Sequence, residues 1–225
     1  MRSSGIVPNY SRLVLFRDRV DAGQRLVERL VAYQNREATV VLGIPRGGLV
    51  VASEIALALH LPLSLCAVRK VGAPGNPELA VGAVDEEDGL VLDRRLARHL
   101  GLSPDQLARA AAGARDDLRR WLAGVAVGTG PATVARDVIL VDDGVATGYT
   151  AQVGVEALRR HGARRIVLAV PVAPPDTAAW LRGVVDEWVC LTTPEPFYAV
   201  GEFFEEWPQV SDEEVHALLL AGNRL

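Results

Sequence analysis

The chain is poor in aromatic rings. Its 225 residues include four Trp, four Tyr and four Phe, only 5% of the total, while 49% are hydrophobic. A core of this chain must therefore be built from Val, Leu, Ile and Ala. Cysteine is scarce too. Two thiols, Cys66 and Cys190, exclude a disulfide framework, and no Cys/His spacing suits zinc. Each lies in an apolar run and reads as a buried free thiol in a strand. Long apolar stretches are missing, and none approaches the ~18 residues that a membrane-spanning helix needs. The first residues lack a continuous apolar segment and break into Arg17-Asp18-Arg19, so no secretory leader is expected and a cytoplasmic location is. A basic excess is also lacking. With 28 acidic and 24 basic residues the net charge is −4, which argues against an overall nucleic-acid footprint.

What is present is an alternation of short apolar runs and helical patterns. Residues 21–33 place Leu26, Val27, Leu30 and Val31 on one helical face. Strands are expected at 39–44, 63–68, 138–141, 165–170 and 187–191, with helices at 49–60, 148–161 and 176–183. Residues 71–78, with two Gly and two Pro, read as irregular, and 79–84 and 90–92 as a hairpin around the acidic turn 85–89. Helices follow at 93–100 and 104–121, then a Gly/Ala/Val linker at 123–135. Ser211-Asp212-Glu213-Glu214 opens a last helix to residue 220. Continuously apolar strands alternating with helices predict an α/β fold: a doubly wound, mostly parallel sheet flanked by helices. The charge runs 85–88 and 115–120 read as solvated faces. In such sheets ligands bind beyond the carboxyl ends of the strands, so the loops there carry the chemistry.

One loop stands out. Val138-Ile139-Leu140-Val141 runs into Asp142-Asp143, then Gly144-Val145-Ala146-Thr147-Gly148-Tyr149-Thr150 and a helix. The strand fixes two carboxylates at the sheet edge. Gly144 and Gly148 permit a tight turn, and the amides of residues 146–150 open a helix, which suits an anion. A monophosphate fits the loop, and a diol or a metal fits the carboxylates. The loop is not a P-loop, since no Gly-Lys-Ser/Thr follows, and the chain holds no G-x-G-x-x-G.

This stretch resembles the phosphoribosyl diphosphate (PRPP) motif of type I phosphoribosyltransferases. Ile44-Pro45-Arg46-Gly47-Gly48 lies where these enzymes place a pyrophosphate loop, and residues 68–80 lie where they carry a mobile loop. The block RKVGAPGNPELAVGAV with DDGVATG is similar to a bacterial subgroup known by that family name alone, and the resemblance covers roughly residues 15–215. It implies a core at 15–192 with a mobile loop at about 71–89, and a hood at 193–225 joined by the other terminal segment. It implies magnesium-dependent transfer of the 5-phosphoribosyl group from PRPP to a nucleobase-like nitrogen acceptor, with release of pyrophosphate. Asp142 and Asp143 would bind the ribose hydroxyls and the metal. Ala146, Thr147, Gly148, Tyr149 and Thr150 would hold the 5-phosphate, Tyr149 through its amide. Arg46 and Gly47 would hold pyrophosphate, with a non-proline cis peptide expected near Arg46–Gly47. Arg46, Arg69 and Lys70 are candidates for stabilising the leaving group.

Ala146 stands where the 6-oxopurine enzymes carry an Asp, so this loop has no acid/base group of its own, and Glu78 is the candidate for one. Phe197 or Tyr198, after the last strand, could stack on an acceptor base. The four histidines receive no catalytic role. Family members are often dimers, which implies a homodimer. An alternative reading is a PRPP-binding regulator of the same fold that binds nucleic acid through Arg94, Arg95, Arg98, Arg109, Arg115, Arg119 and Arg120. Its rival is pairing of these arginines with Asp93, Asp116 and Asp117. Seven of the twelve aromatics fall in the last 46 residues, close to the expected hood. The hood assignment requires residues 197–207 to lie near the strand ends bearing Arg46 and Asp142.

Overall fold

The structure is a computed structural model that describes residues 15–125 and 136–222, without the side chain of Glu78. Five parallel strands form the central sheet: β1 (Thr39–Gly43), β2 (Leu63–Leu65), β6 (Asp137–Val141), β7 (Arg165–Val172) and β8 (Glu187–Thr192). Their order is β2-β1-β6-β7-β8. Every residue of β1 and β6 is buried, as strands covered on both faces require.

One face is covered by α1 (Arg19–Leu30), α2 (Gly47–Leu59) and α7 (Asp212–Gly222). α1 is amphipathic, burying Ala22, Leu26 and Leu30, and Asp18 caps it by accepting from the Asp21 N–H at 2.8 Å. α2 lies between α1 and α7 and is apolar nearly all round, burying Leu49, Val50, Val51, Ile55 and Leu59. The other face carries α5 (Tyr149–Arg160) and α6 (Pro175–Leu181), packed on Val138, Leu140, Ile166 and Leu168. The aliphatic core expected from composition is present: of the twelve largest fully buried side chains among the described residues, only Phe204 is aromatic.

A second, antiparallel sheet holds β3 (Val68–Ala73), β4 (Asn76–Asp85) and β5 (Leu90–Leu92), with α3 (Arg94–His99) and α4 (Pro104–Val125) beside it. These elements share a small core of their own around Val71, Val81, Val84 and Ala111. This sheet corrects the reading of residues 71–78 as irregular. Pro74-Gly75 is a two-residue turn between the paired Ala73 and Asn76, with Gly75 at φ +83°. Pro77 falls where the register shifts between Gly72 and Ala73, so its missing N–H breaks no ladder. The strand expected at 63–68 is likewise two strands. Cys66 lies between β2 and β3, buried but outside a strand, and Cys190 sits partly buried in β8.

The charge runs are not simply solvated. Arg115 donates to the Asp85 and Gly89 carbonyls at 3.3 and 3.1 Å, and Arg119 to the Glu86 carbonyl at 2.8 Å. Arg160 of α5 pairs with the buried Asp85 carboxylate. The acidic turn is thus clamped between α4 and α5. α4 runs on to Val125, and the rest of the linker reading, 126–135, lies outside the described residues. No helix among the described residues is long and apolar enough to cross a membrane.

Candidate active site

The chain leaves β1 towards β2 on one side, while β6 leads to β7 and β8 on the other. The sheet therefore has its topological switch point between β1 and β6, where open α/β sheets form a crevice. Both loops singled out in the sequence begin there. Gly43 and Val141 are register partners, and the Ile44 N–H donates to the Val141 carbonyl at 2.8 Å. The Arg46 loop and the Asp142-Asp143 pair are brought together by this pairing alone. The loop holds a non-proline cis peptide at Pro45–Arg46, one bond before the expected position. Arg46 already has helical φ/ψ as the cap of α2, which assigns the Arg46–Gly47 bond to the helix start.

Small residues make this approach tolerable. A Cβ on Gly48 would lie 2.8 Å from the Val141 carbonyl oxygen and 2.9 Å from Asp142 Cα. One on Gly47 would collide with the Asp143 carboxylate and lie 2.7 Å from Arg19 Nε. Arg19 is a site residue that the sequence reading missed. Its Nε donates to Asp143 Oδ2 at 2.7 Å, the two side chains being 9% and 15% exposed. Its second edge donates to the Pro208 carbonyl at 2.7 Å, and its plane lies 3.6 Å from the Trp207 ring. Burial raises both carboxyls above their usual range. For Asp142 the Asp143 charge adds to this and the carboxyl is pushed well up; for Asp143 Arg19 opposes it. Asp142 Oδ1 also accepts the Asp143 N–H at 2.9 Å.

The 144–150 loop forms the next wall. Gly144 (φ +152°) and Gly148 (φ +81°) adopt conformations that favour glycine, and Gly148 caps α5. The loop is fixed from behind: Thr177 Oγ1 donates to the Ala146 carbonyl at 2.8 Å, and the Trp180 ring fills the space beside Gly148. The first amides of α5 have no partners within the helix, and residues 144–150 line a recess with the helix dipole behind it. The Tyr149 side chain is tied to another residue of the same wall. Its hydroxyl donates to Asp93 Oδ2 at 2.6 Å, and burial, helped by that carboxylate, pushes it up to about 12.

Two cavities meet at this edge. One, of about 490 Å³, is lined by Arg19, Arg46, Arg69, Lys70, Trp121 and Asp142 among others. The other, of about 360 Å³, is lined by residues 144–150 with Leu79, Asp93 and Val200. Lys70 and Thr150 border both. The first, which Asp142 borders, can hold a polyanion, and the second a monophosphate. The backbone of Glu78 lies in β4, and its side chain is outside the described residues. The two terminal segments pair beside the site: the Phe16 N–H donates to the Phe203 carbonyl at 3.0 Å, and the Glu205 N–H to the Phe16 carbonyl at 2.9 Å. Residues 197–207 do lie at these strand ends, with Val200 against Gly144 and Trp207 on Arg19. Phe197, however, packs on Phe203 with ring centroids 4.9 Å apart, whereas Tyr198 is 75% exposed. Of the arginines weighed as a basic face, Arg115 and Arg119 hold the 85–89 turn, and Arg120 pairs with Asp117.

Comparison with known proteins gives these features a family setting. A family model described as the phosphoribosyl transferase domain matches residues 15–196. Two curated proteins of Mycobacterium tuberculosis, from strains CDC 1551 and H37Rv and provisionally named phosphoribosyl transferases, are 42% identical over 212 residues. The alignment covers 93% of this chain and 47% of each relative, so the chain spans about half the length of the curated relatives it matches. The crystal structure of TT1426 from Thermus thermophilus is 45% identical, with a TM-score of 0.75 over 92% of this chain and 99% of that one.

Proposed function

Because the chain belongs to the phosphoribosyl transferase domain family, we propose that it transfers a 5-phosphoribosyl group from PRPP to a ring nitrogen of a nucleobase-like acceptor, releasing diphosphate. The observation that carries this reading is the juxtaposition at the switch point. Asp142 lines the cationic cleft, and the 144–150 loop that follows the Asp142-Asp143 pair lines the adjoining cavity, which suits a ligand that carries a monophosphate, a diol and a diphosphate. In this reading Ala146, Thr147, Gly148, Tyr149 and Thr150 bind the 5-phosphate and Asp142 and Asp143 the ribose hydroxyls. Arg46, Gly47, Arg69 and Lys70 receive the diphosphate.

Substitution at the anomeric carbon builds positive charge on the sugar while negative charge moves onto the leaving group. The protein's part is to hold both ends, align the nucleophile and exclude water. Arg46 and Lys70 neutralise the leaving oxygens, and the carboxylates fix the ring between the two anchored phosphates. Arg19 pairs with Asp143 and opposes the upward push that burial gives its carboxyl. Glu78 is the proposed group for moving a proton to or from the acceptor, and Phe197 and Tyr198 the proposed acceptor contacts.

Magnesium fits this donor set. The described residues hold no cluster of three or more metal-ligating side chains, and magnesium is commonly held by one or two carboxylates with substrate phosphates and water completing its shell. Asp142 and Asp143 would hold it, and it would supply a template and Lewis acid for the diphosphate. The test is release of diphosphate from PRPP by the purified protein with magnesium and a panel of purine, pyrimidine and pyridine bases. Turnover with at least one base is expected. PRPP binding without turnover on any base would overturn the transferase reading.

A further inference from the structure

Arg46, one of three arginines that line the cationic cleft, already has an anion on it. Arg46 is ion-paired with Asp212, Nε lying 2.8 Å from Oδ1, and the same oxygen accepts the Trp121 indole N–H at 2.6 Å. Three segments far apart in sequence, the start of α2, the end of α4 and the start of α7, meet at one carboxylate oxygen. Asp212 is held there. Val210 and Val215 on either side of it are buried, and Ser211 Oγ accepts the Glu214 N–H at 3.2 Å, fixing the helix start. The Arg46 and Asp212 side chains are both about half exposed, so their pair is of the replaceable kind.

We propose that Asp212 is an internal counter-ion of the anion site, which a diphosphate must displace from Arg46 and which thereby sets the affinity and charge selectivity of the cleft. The inference rests on the function proposed above only in naming diphosphate as the anion. Two opposite roles were open to this carboxylate, orienting Arg46 for the ligand or competing with the ligand, and charge decides between them. Orientation gains at most the freedom of one side chain. Competition acts on every negative charge of the ligand: at about 6 Å, with screening between that of water and half that, repulsion amounts to roughly three- to tenfold in affinity per charge. A diphosphate carries at least two such charges, and only a ligand more strongly charged than a carboxylate displaces Asp212 well. Displacement also removes the acceptor from the Trp121 indole, so its emission reports the exchange.

The test is calorimetric titration of the full chain with inorganic diphosphate and magnesium, comparing wild type, Asp212→Asn, Arg46→Ala and the double variant, with tryptophan emission recorded in parallel. Asp212→Asn keeps the shape of the side chain and removes its charge. It is expected to bind diphosphate at least about fivefold tighter. That gain should be smaller when Arg46 is absent, because only direct repulsion by Asp212 is then relieved and no guanidinium is freed, and the diphosphate-induced emission change of the wild type should vanish in Trp121→Phe. If Arg46→Ala weakens binding while Asp212→Asn binds no tighter than wild type, the counter-ion role is wrong and the placement of diphosphate at Arg46 stands. If Arg46→Ala binds diphosphate as wild type does, the placement itself falls, and this inference with it.

Discussion

Replacing Gly47 by Ala adds one methyl group at the most crowded point of the site, where it would overlap the Asp143 carboxylate and lie 2.7 Å from Arg19 Nε. Two relaxations are open. If the start of α2 retreats, the cost is that of ordinary overpacking, about 1–3 kcal/mol. If Asp143 is pushed off Arg19, a buried pair whose members are 9% and 15% exposed is broken, at about 3–5 kcal/mol. Either way Gly47→Ala should be destabilised by roughly 1–5 kcal/mol, a fall in melting temperature of roughly 2–20 °C for a chain of this size. Gly113→Ala is the control. Gly113 lies within α4, and a Cβ there meets nothing within 4 Å. The same change should therefore stabilise by about 0.5–1 kcal/mol through helix propensity and chain entropy, a rise of roughly 1–4 °C. Thermal melts of the two variants, with PRPP binding measured alongside, check the opposite signs. A Gly47→Ala protein that melts at or above wild type and binds PRPP normally would refute the account of how the two loops pack.

Three further outcomes are expected. Asp142→Asn should weaken PRPP binding at least about tenfold by removing a charged hydrogen-bonding partner. Its melting temperature should hold or rise, because the raised Asp142 carboxyl shows that its negative charge is unwelcome where it is buried; a large loss of stability with intact binding would contradict both statements. Tyr149→Phe removes the 2.6 Å bond to Asp93 and should cost about 1 kcal/mol in a denaturant titration, yet leave PRPP affinity within about twofold, because only the amide is assigned to the phosphate. Burial pushes the Glu187 carboxyl up, but the Tyr33 hydroxyl at 2.6 Å and Arg165 at 2.9 Å outweigh it and hold the group below its ordinary 4.5. A depressed folded-state value means that this contribution is fully present above about pH 4.5 and is lost as pH falls through the lower value. Glu187→Gln should therefore flatten the stability–pH curve in that acid window, and an unchanged curve would remove Glu187 from the acid response.

The parallel sheet was legible because β1, β6 and β7 are buried on both faces and so read as unbroken apolar runs. The site loops were legible for a related reason: Asp142 and Arg46 follow such runs directly, and the residues between must be small. The hairpin of β3 and β4 was obscured by its own turn chemistry. Pro74-Gly75 and Pro77 signal irregularity locally, and only the long-range pairing reveals a turn and a register shift. Arg19 was hidden because Arg17-Asp18-Arg19 looks like a surface charge cluster. What distinguishes Arg19 is a carboxylate 124 positions away and a carbonyl 189 positions away. Arg115 and Arg119 were misread for the opposite reason. Their partners are main-chain carbonyls of a turn, which leave no mark in side-chain composition. The late aromatics did indicate a place, since Trp207 and Phe203 gather at the strand ends, but which ring is free to meet a ligand depends on packing that composition does not encode.

The pairing of the two terminal segments has a consequence for synthesis. All five strands of the parallel sheet, with Arg46, Asp142 and the 144–150 loop, lie before residue 193. The carbonyl of Pro208 and the ring of Trp207, which hold Arg19 against Asp143, leave the ribosome after all of these, and Asp212 follows them. A nascent chain can therefore complete its sheet while the guanidinium beside its key carboxylate is still unanchored. Chains cut short after Phe204 lack the Trp207 ring, the Pro208 carbonyl and Asp212, and with them the anchors of Arg19 and Arg46 and the core residues Val210, Val215 and Leu219, so they should melt below the full chain and bind PRPP more weakly.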